Sequence, residues 1–238
     1  MSDSILTYAL LGSLGFGAVA CGDHGVDGNG RRSEQLRETA AFTRVHSDCE
    51  LDVELVQGDE PSVIVSVDSN LQDLVRVRLD GDTLRLDQDE EIDDVVPGPH
   101  VLITVPELTA AKLAGSGRME LAFEEPQLPL DLYLSGSGDL RFSGTTAALG
   151  AYLSGSGEMS LDGETSDVDI SLSGSGAIRA RHLTASSASI DLSGSGSVSA
   201  TVSDSVTVDL SGSGQVDLYG EAALDGYRQS GSGDVVQH

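Results

Sequence analysis

A Gly-Ser-Gly tripeptide recurs seven times in this chain, beginning at Gly115, Gly136, Gly155, Gly174, Gly194, Gly212 and Gly231. The intervals are 21, 19, 19, 20, 18 and 19 residues. Self-similarity at a near-constant period marks a repeat architecture, in which each unit buries its apolar side against its neighbours. About 19 residues per unit is too few for a four-stranded propeller blade, and the spacing matches no helical repeat. A coil of a β-solenoid fits.

The residues flanking each tripeptide alternate between apolar and small or polar, which is the period of a strand. Leu134, Leu153, Leu172, Leu192 and Leu210 stand at one position before the tripeptide, with Leu132, Ala151, Ile170, Ile190 and Val208 two residues earlier. After it come Met119/Leu121, Leu140/Phe142, Met159/Leu161, Ile178/Ala180, Val198/Ala200 and Val216/Leu218. Each coil is therefore expected to hold two short strands joined at a Gly-Ser corner, with these positions stacked inward. Glycine at the corner supplies a positive φ without a Cβ clash. The last copy follows Tyr227-Arg228-Gln229 instead of a leucine-ended strand, which suits a polar cap over the final coil.

Formal net charge is −26, and residues 48–94 carry 16 acidic side chains against Arg76, Arg78 and Arg85. Nucleic acid is excluded as an expected partner, because its phosphates would be repelled. Aromatic residues make up 4% of the chain and Trp is absent, which argues against sugar-stacking or base-stacking platforms. Ile5 to Ala20 is an uncharged run ending at Cys21, short for a transmembrane helix and suited to the apolar core of an export signal. Ala18-Val19-Ala20 before Cys21 looks like a lipoprotein signal, in which the cysteine is acylated; position 18 is Ala where Leu is usual, and Met1–Ser4 has no Lys or Arg. Cys21 is thus the expected lipid-attachment residue, and the membrane the expected partner through that lipid.

The resulting division is a signal peptide at 1–21, a flexible tether at 22–41, an irregular β section at 42–110 and the repeat β-helix at 111–238. Cys49 falls on the inward phase of the Ser47, Cys49, Leu51, Val53, Leu55 alternation and is expected to be a small buried apolar residue. A disulfide to Cys21 is open only if the signal is not processed this way. Residues Ser69 to Leu74 could form one helical turn capped by Ser69 or Asn70.

Phe42-Thr43-Arg44-Val45, residues 51–58 (LDVELVQG), Leu84-Arg85-Leu86 and Val101–Pro106, followed by the first Gly-Ser-Gly, resemble the bacterial head GIN domain family, also labelled putative auto-transporter adhesin. The resemblance covers residues 42 to 238. It implies a right-handed, single-stranded β-helix on an envelope protein, often a lipoprotein, without implying an activity.

No catalytic constellation can be placed. Asp131, Asp169, Asp191 and Asp209 precede the corner at differing offsets, and the position after it reads Arg118, Asp139, Glu158, Ala177, Ser197, Gln215 and Asp234. His24, His46, His100, His182 and His238 lack metal-ligand spacing. Repeated Gly-Ser-Gly lacks the strand-turn-helix setting of a nucleophile elbow. Arg179, Arg181 and His182 form a basic cluster that could serve as a contact spot. No catalytic, cofactor-binding or metal residue is expected. The expected function is a non-enzymatic, lipid-anchored envelope protein whose β-helix binds another macromolecule or acts as a scaffold. The alternatives are a glycan-processing enzyme of the pectate-lyase-like type and a self-assembling envelope scaffold.

Overall fold

The computed structural model describes residues 25–93, 98–124 and 126–238. Among them every regular element is a strand, and the repeats stack as parallel coils of a β-solenoid. Register follows the tripeptides: Gly136 pairs with Gly155, Gly155 with Gly174, Gly174 with Gly194, and Gly194 with Gly212. The inward ladders stack as the alternation predicts. Leu113, Leu134, Leu153, Leu172, Leu192 and Leu210 form one continuous buried row. Met119, Leu140, Met159, Ile178, Val198 and Val216 form another on the far side of the corner. In the central coils the two strands merge into runs of 17 or 18 residues, such as Asp139–Gly155 and Ala177–Gly194, that bend as they go around the rod.

The corner is built from backbone on backbone. Gly174 has φ +128°, and a Cβ there would fall inside van der Waals contact with the carbonyl oxygen of Gly155. That oxygen accepts from Ser175 N at 3.0 Å and from Gly176 N at 3.1 Å. From Gly136 onward each corner donates to the carbonyl of the coil beneath and leaves no room for a side chain at its first glycine, whereas at Gly115 an added Cβ would meet nothing nearer than 3.6 Å. A second bend carries glycine for the same reason at Gly163, with φ +124°.

The N-terminal section belongs to the same rod, but its stacking order is not its chain order. Arg44–Ser47 pairs in parallel with Ala110–Gly115 above and with Thr83–Gln88 below, and Asp52–Gln57 lies between Arg118–Ala122 and His100–Val105. The chain therefore builds the coil at 44–57, drops back to the one at 83–105, and then rejoins the stack at 110. The outer edge of that lowest coil is covered by antiparallel strands: Val75–Asp80 on Thr83–Gln88, and Ser62–Asp68 on His100–Val105. Reversal of strand direction ends the solenoid and protects an edge that would otherwise invite pairing with another chain.

The structure departs from the sequence expectation in two segments. The segment 22–41 is not a tether throughout. Arg32–Arg37 forms an antiparallel strand on Ser62–Asp68, and Val26–Asp27 pairs with Ile92–Asp93. The strand is fastened by side chains: Gln72 Nε2 donates to Ser33 O at 2.8 Å, and Arg37 Nη2 donates to Gln72 O at 2.8 Å. Its polar sequence reflects a strand exposed along most of its length, with Leu36 65% exposed. Residues 69–74 make no helix. Leu71 N donates to Asp68 O and Leu74 N to Leu71 O, so successive tight turns carry the chain into Val75–Asp80.

At the far end the leucine row terminates in Gln229, which pairs with Leu210, and Leu218 pairs with Gln237. Gln229 Nε2 donates to Gly233 O and Gln237 Nε2 to Ala222 O, so two amides close the last coil on itself. Cys49 is buried, and burial pushes its thiol above the usual range.

Candidate binding face

Strand alternation leaves three outward rows on the face that leads into the Gly-Ser corner. The middle row runs Arg85, His46, Lys112, Tyr133, Tyr152, Ser171, Asp191, Asp209 and Arg228, each paired in register with the next. At about 4.8 Å per coil it is ~38 Å long. Beside it, nearer the corner, runs a hydroxyl row of Ser135, Ser154, Ser173, Ser193, Ser211 and Ser230. On its other side stand Arg44, Ala110, Asp131, Gly150, Asp169, Ser189 and Thr207. The face therefore has a basic end, an aromatic middle and an acidic end.

A shallow groove of about 590 Å³ follows the basic and aromatic parts, lined by Arg44, His46, Arg85, Lys112, Tyr133 and Tyr152 together with serine hydroxyls. A second depression, over Ser171, Asp191, Asp209 and Arg228, continues it toward the acidic end. The two rings stack with centroids 4.9 Å apart and planes 20° from parallel. Since that separation equals one coil, the stack runs along the rod: the free face of Tyr133 looks toward Lys112, and that of Tyr152 toward the small Ser171. Gly150 makes this possible, because a Cβ there would come within 2.7 Å of Tyr152 Cε2.

The phenols are tied to carboxylates. Tyr152 Oη donates to Asp169 Oδ2 at 3.2 Å and Tyr133 Oη to Asp131 Oδ2 at 3.4 Å. Burial, followed by the charge of Asp169 and this hydrogen bond, pushes the Tyr152 phenol up to about 12. Because the folded state holds the proton longer than the unfolded chain, stability from this group is complete below about pH 10 and is lost as pH rises through about 12. Subtracting the alkaline absorbance titration of Tyr152→Phe from that of the parent should reveal a phenol ionising near 12. A difference curve centred near 10, the ordinary tyrosine value, would contradict the packing described.

At the basic end Arg85 Nη1 donates to His46 Nδ1 at 2.9 Å, while His46 Nε2 lies 2.9 Å from Asp48 Oδ1. Burial, with the Lys112 and Arg85 charges, holds the imidazole below its usual value against the opposing pull of Asp48. At the acidic end burial, then Asp209 and Asp169, pushes the Asp191 carboxyl up.

The aspartates singled out before the corner thus share one face but two rows, Asp131 and Asp169 in one and the adjacent Asp191 and Asp209 in the other. Arg228 reaches Asp209 at 3.4 Å. Among the described residues no His, Cys, Asp and Glu side chains gather as a metal site. Of the basic cluster Arg179, Arg181 and His182, both arginines are engaged within the rod. Arg179 is ion-paired with Glu158, and Arg181 lies 4.4 Å over the ring of Tyr219. The expected lipid-attachment residue Cys21, the signal at 1–21 and His24 lie outside the described residues. Low aromatic content was a poor guide to the surface. Two of the five tyrosines meet because each immediately precedes a ladder leucine, Leu134 or Leu153, an identity of offset visible in the sequence.

The family model described as putative auto-transporter adhesin, head GIN domain, matches residues 41–222. Among solved structures, a putative adhesin from Bacteroides fragilis superposes with a TM-score of 0.80 at 17% identity, covering 90% of this chain and 100% of its own. A putative lipid binding protein from Parabacteroides distasonis gives 0.70 at 20% identity, covering 90% and 99%. A putative adhesin from Parabacteroides merdae gives 0.68 at 21%, covering 90% and 98%. At these identities the likeness is one of fold. Among curated proteins none matches this chain significantly.

Proposed function

The chain belongs to the head GIN domain family of putative auto-transporter adhesins, and from that premise we propose that it is a non-enzymatic, adhesin-like binding protein of the cell envelope. In this reading Cys21 carries the lipid, the rod stands out from the membrane, and the face leading into the Gly-Ser corner is the binding surface. The observation that carries it is the groove over Arg44, Lys112, Tyr133 and Tyr152, a concave strip lined mostly by polar side chains that converge on a stacked pair of rings. The apolar run from Ile5 to Ala20 before Cys21 supports export with lipid attachment. A non-enzymatic role is favoured over glycan cleavage because Arg228, the cation at the acidic end of the face, is already ion-paired with Asp209.

Fractionation of cells making the full chain tests the anchor. The parent protein should be recovered in the membrane fraction and incorporate labelled palmitate, whereas Cys21→Ser should do neither. Palmitate labelling that survives Cys21→Ser would place the lipid elsewhere. Soluble, unlabelled parent protein would remove the anchor from the account. Incubation with polygalacturonate and calcium should release no unsaturated ends; their appearance would restore the enzyme reading.

A further inference from the structure

We propose that the basic and aromatic half of the groove binds an oligosaccharide bearing a carboxylate or phosphate at one end, with the anion on Arg44 and Lys112 and the neutral sugars running along the serine row and packing on the free face of Tyr152. This rests on the reading of the protein as a binding module and names its ligand.

The cations of the rod are not used alike. On the face beyond the corner, Arg118 meets Asp139 at 3.9 Å, Arg141 meets Glu120 at 3.1 Å, and Arg179 pairs with Glu158. Those arginines are neutralised within the fold. At the basic end of the groove, among the described residues, neither Arg44 nor Lys112 has a carboxylate at ion-pair distance. In a chain of formal charge −26, acids outnumber Lys and Arg three to one, 39 against 13. Arg85, bonded to His46, is itself ion-paired with Asp80 at 3.5 Å, so Arg44 and Lys112, one row apart, are the two uncompensated cations at this end and mark a local reversal of the protein's field. Such a spot attracts an anion, and the exposed Arg44 guanidinium offers the paired donors that suit a carboxylate or phosphate.

What lies next to that spot sets the rest of the ligand. The free face of Tyr152 looks toward the small Ser171, and Ser135, Ser154 and Ser173 line the same groove. An apolar ring face beside closely set hydroxyls matches a sugar, which presents C–H groups on one side and hydroxyls around its rim. Length is bounded by charge. From Arg85 to Ser171 the row measures ~24 Å at about 4.8 Å per coil, room for some four or five sugars. Beyond it stand Asp191 and Asp209, directly paired across adjacent coils. A polymer charged along its whole length would meet those carboxylates, so the negative group must sit at one end.

Calorimetry on the full chain in detergent tests this with a panel of tri- and tetrasaccharides capped by glucuronate, sialate or phosphate, each beside its uncapped neutral counterpart. Phosphatidylglycerol vesicles, offered to the Cys21→Ser protein free of detergent so that they stay intact, serve as the lipid arm. At least one capped sugar should bind tenfold or more tightly than its neutral partner, and more weakly as salt is raised. Lys112→Gln and Arg44→Gln should each weaken it about tenfold, Tyr152→Ala should weaken both capped and neutral forms, and Arg179→Gln on the opposite face should change nothing. Circular dichroism of each variant separates lost contacts from lost folding. Absence of binding by every member of the panel overturns the inference, as does binding indifferent to both cation substitutions. Binding to vesicles alone assigns the cations to lipid and also overturns it. None of these results touches the palmitate and fractionation test, so the ligand can fail while the envelope reading stands.

Discussion

Alanine at Gly174 should cost the protein about 2–6 kcal/mol, combining about 1–3 for a non-glycine residue held at positive φ with about 1–3 for forcing atoms into a closed site. Both contributions are visible at this corner. The backbone sits at φ +128°, and the added carbon would collide with the carbonyl oxygen of Gly155, itself fixed by two backbone donors. Relief requires moving two coils apart, which also breaks the stacking of Leu153 on Leu172. Gly81→Ala is the matched control: φ is +63° and nothing lies within 4 Å, so only the backbone term of about 1–2 kcal/mol applies. Urea unfolding followed by circular dichroism should show Gly174→Ala well below Gly81→Ala. Equal stabilities would mean that the corners do not stack as described.

Phe142→Ala is expected to be comparably severe, at about 3–5 kcal/mol, the usual cost of emptying a buried aromatic site. Phe142 heads the largest fully buried side chains and is 1% exposed. It is stacked between Leu121 and Leu161 in the row beyond the corner. These neighbours are pinned by their own ladders and cannot collapse into the space. Because a solenoid is stabilised coil by coil through nearest neighbours, the damage should centre on the coils at 118–122, 139–143 and 158–161. Hydrogen exchange should show protection falling there first and persisting around Val198 and Val216. At an m-value of about 2 kcal/mol/M the urea midpoint should drop by roughly 2 M. A drop below about 0.5 M, or uniform loss of protection, would contradict a core organised as independent stacked rows.

Corner and core are the parts of the molecule that the sequence discloses well. A glycine that must be glycine recurs at a fixed interval, and inward rows alternate with outward ones, so corner, coil length and core positions follow from period alone. The failures have physical causes as well. Arg32–Arg37 reads as a tether because a mostly solvent-exposed strand carries no apolar alternation; its side-chain hold comes from Gln72, 39 residues from Ser33 and 35 from Arg37, through bonds to both. The basic end of the groove draws Arg85, His46 and Lys112 from three segments whose stacking reverses chain order, which no local pattern records. Tyr133 and Tyr152 share one offset before a ladder leucine, so their contact is legible in the sequence. Attention to the inward leucines passes over the outward residues that share their spacing, although in a solenoid equal offsets guarantee contact on either face.

Accessibility of the groove on living cells is the most direct test of an outward-facing binding surface. Ser173 is exposed in the serine row lining the groove, and the buried Cys49 with its raised thiol should stay silent toward a membrane-impermeant maleimide. A Ser173→Cys protein carrying its lipid at Cys21 therefore reports on the groove alone. The account predicts labelling on intact cells at the rate seen after lysis. Labelling that appears only after lysis would place the groove inside the envelope and contradict an adhesin-like role.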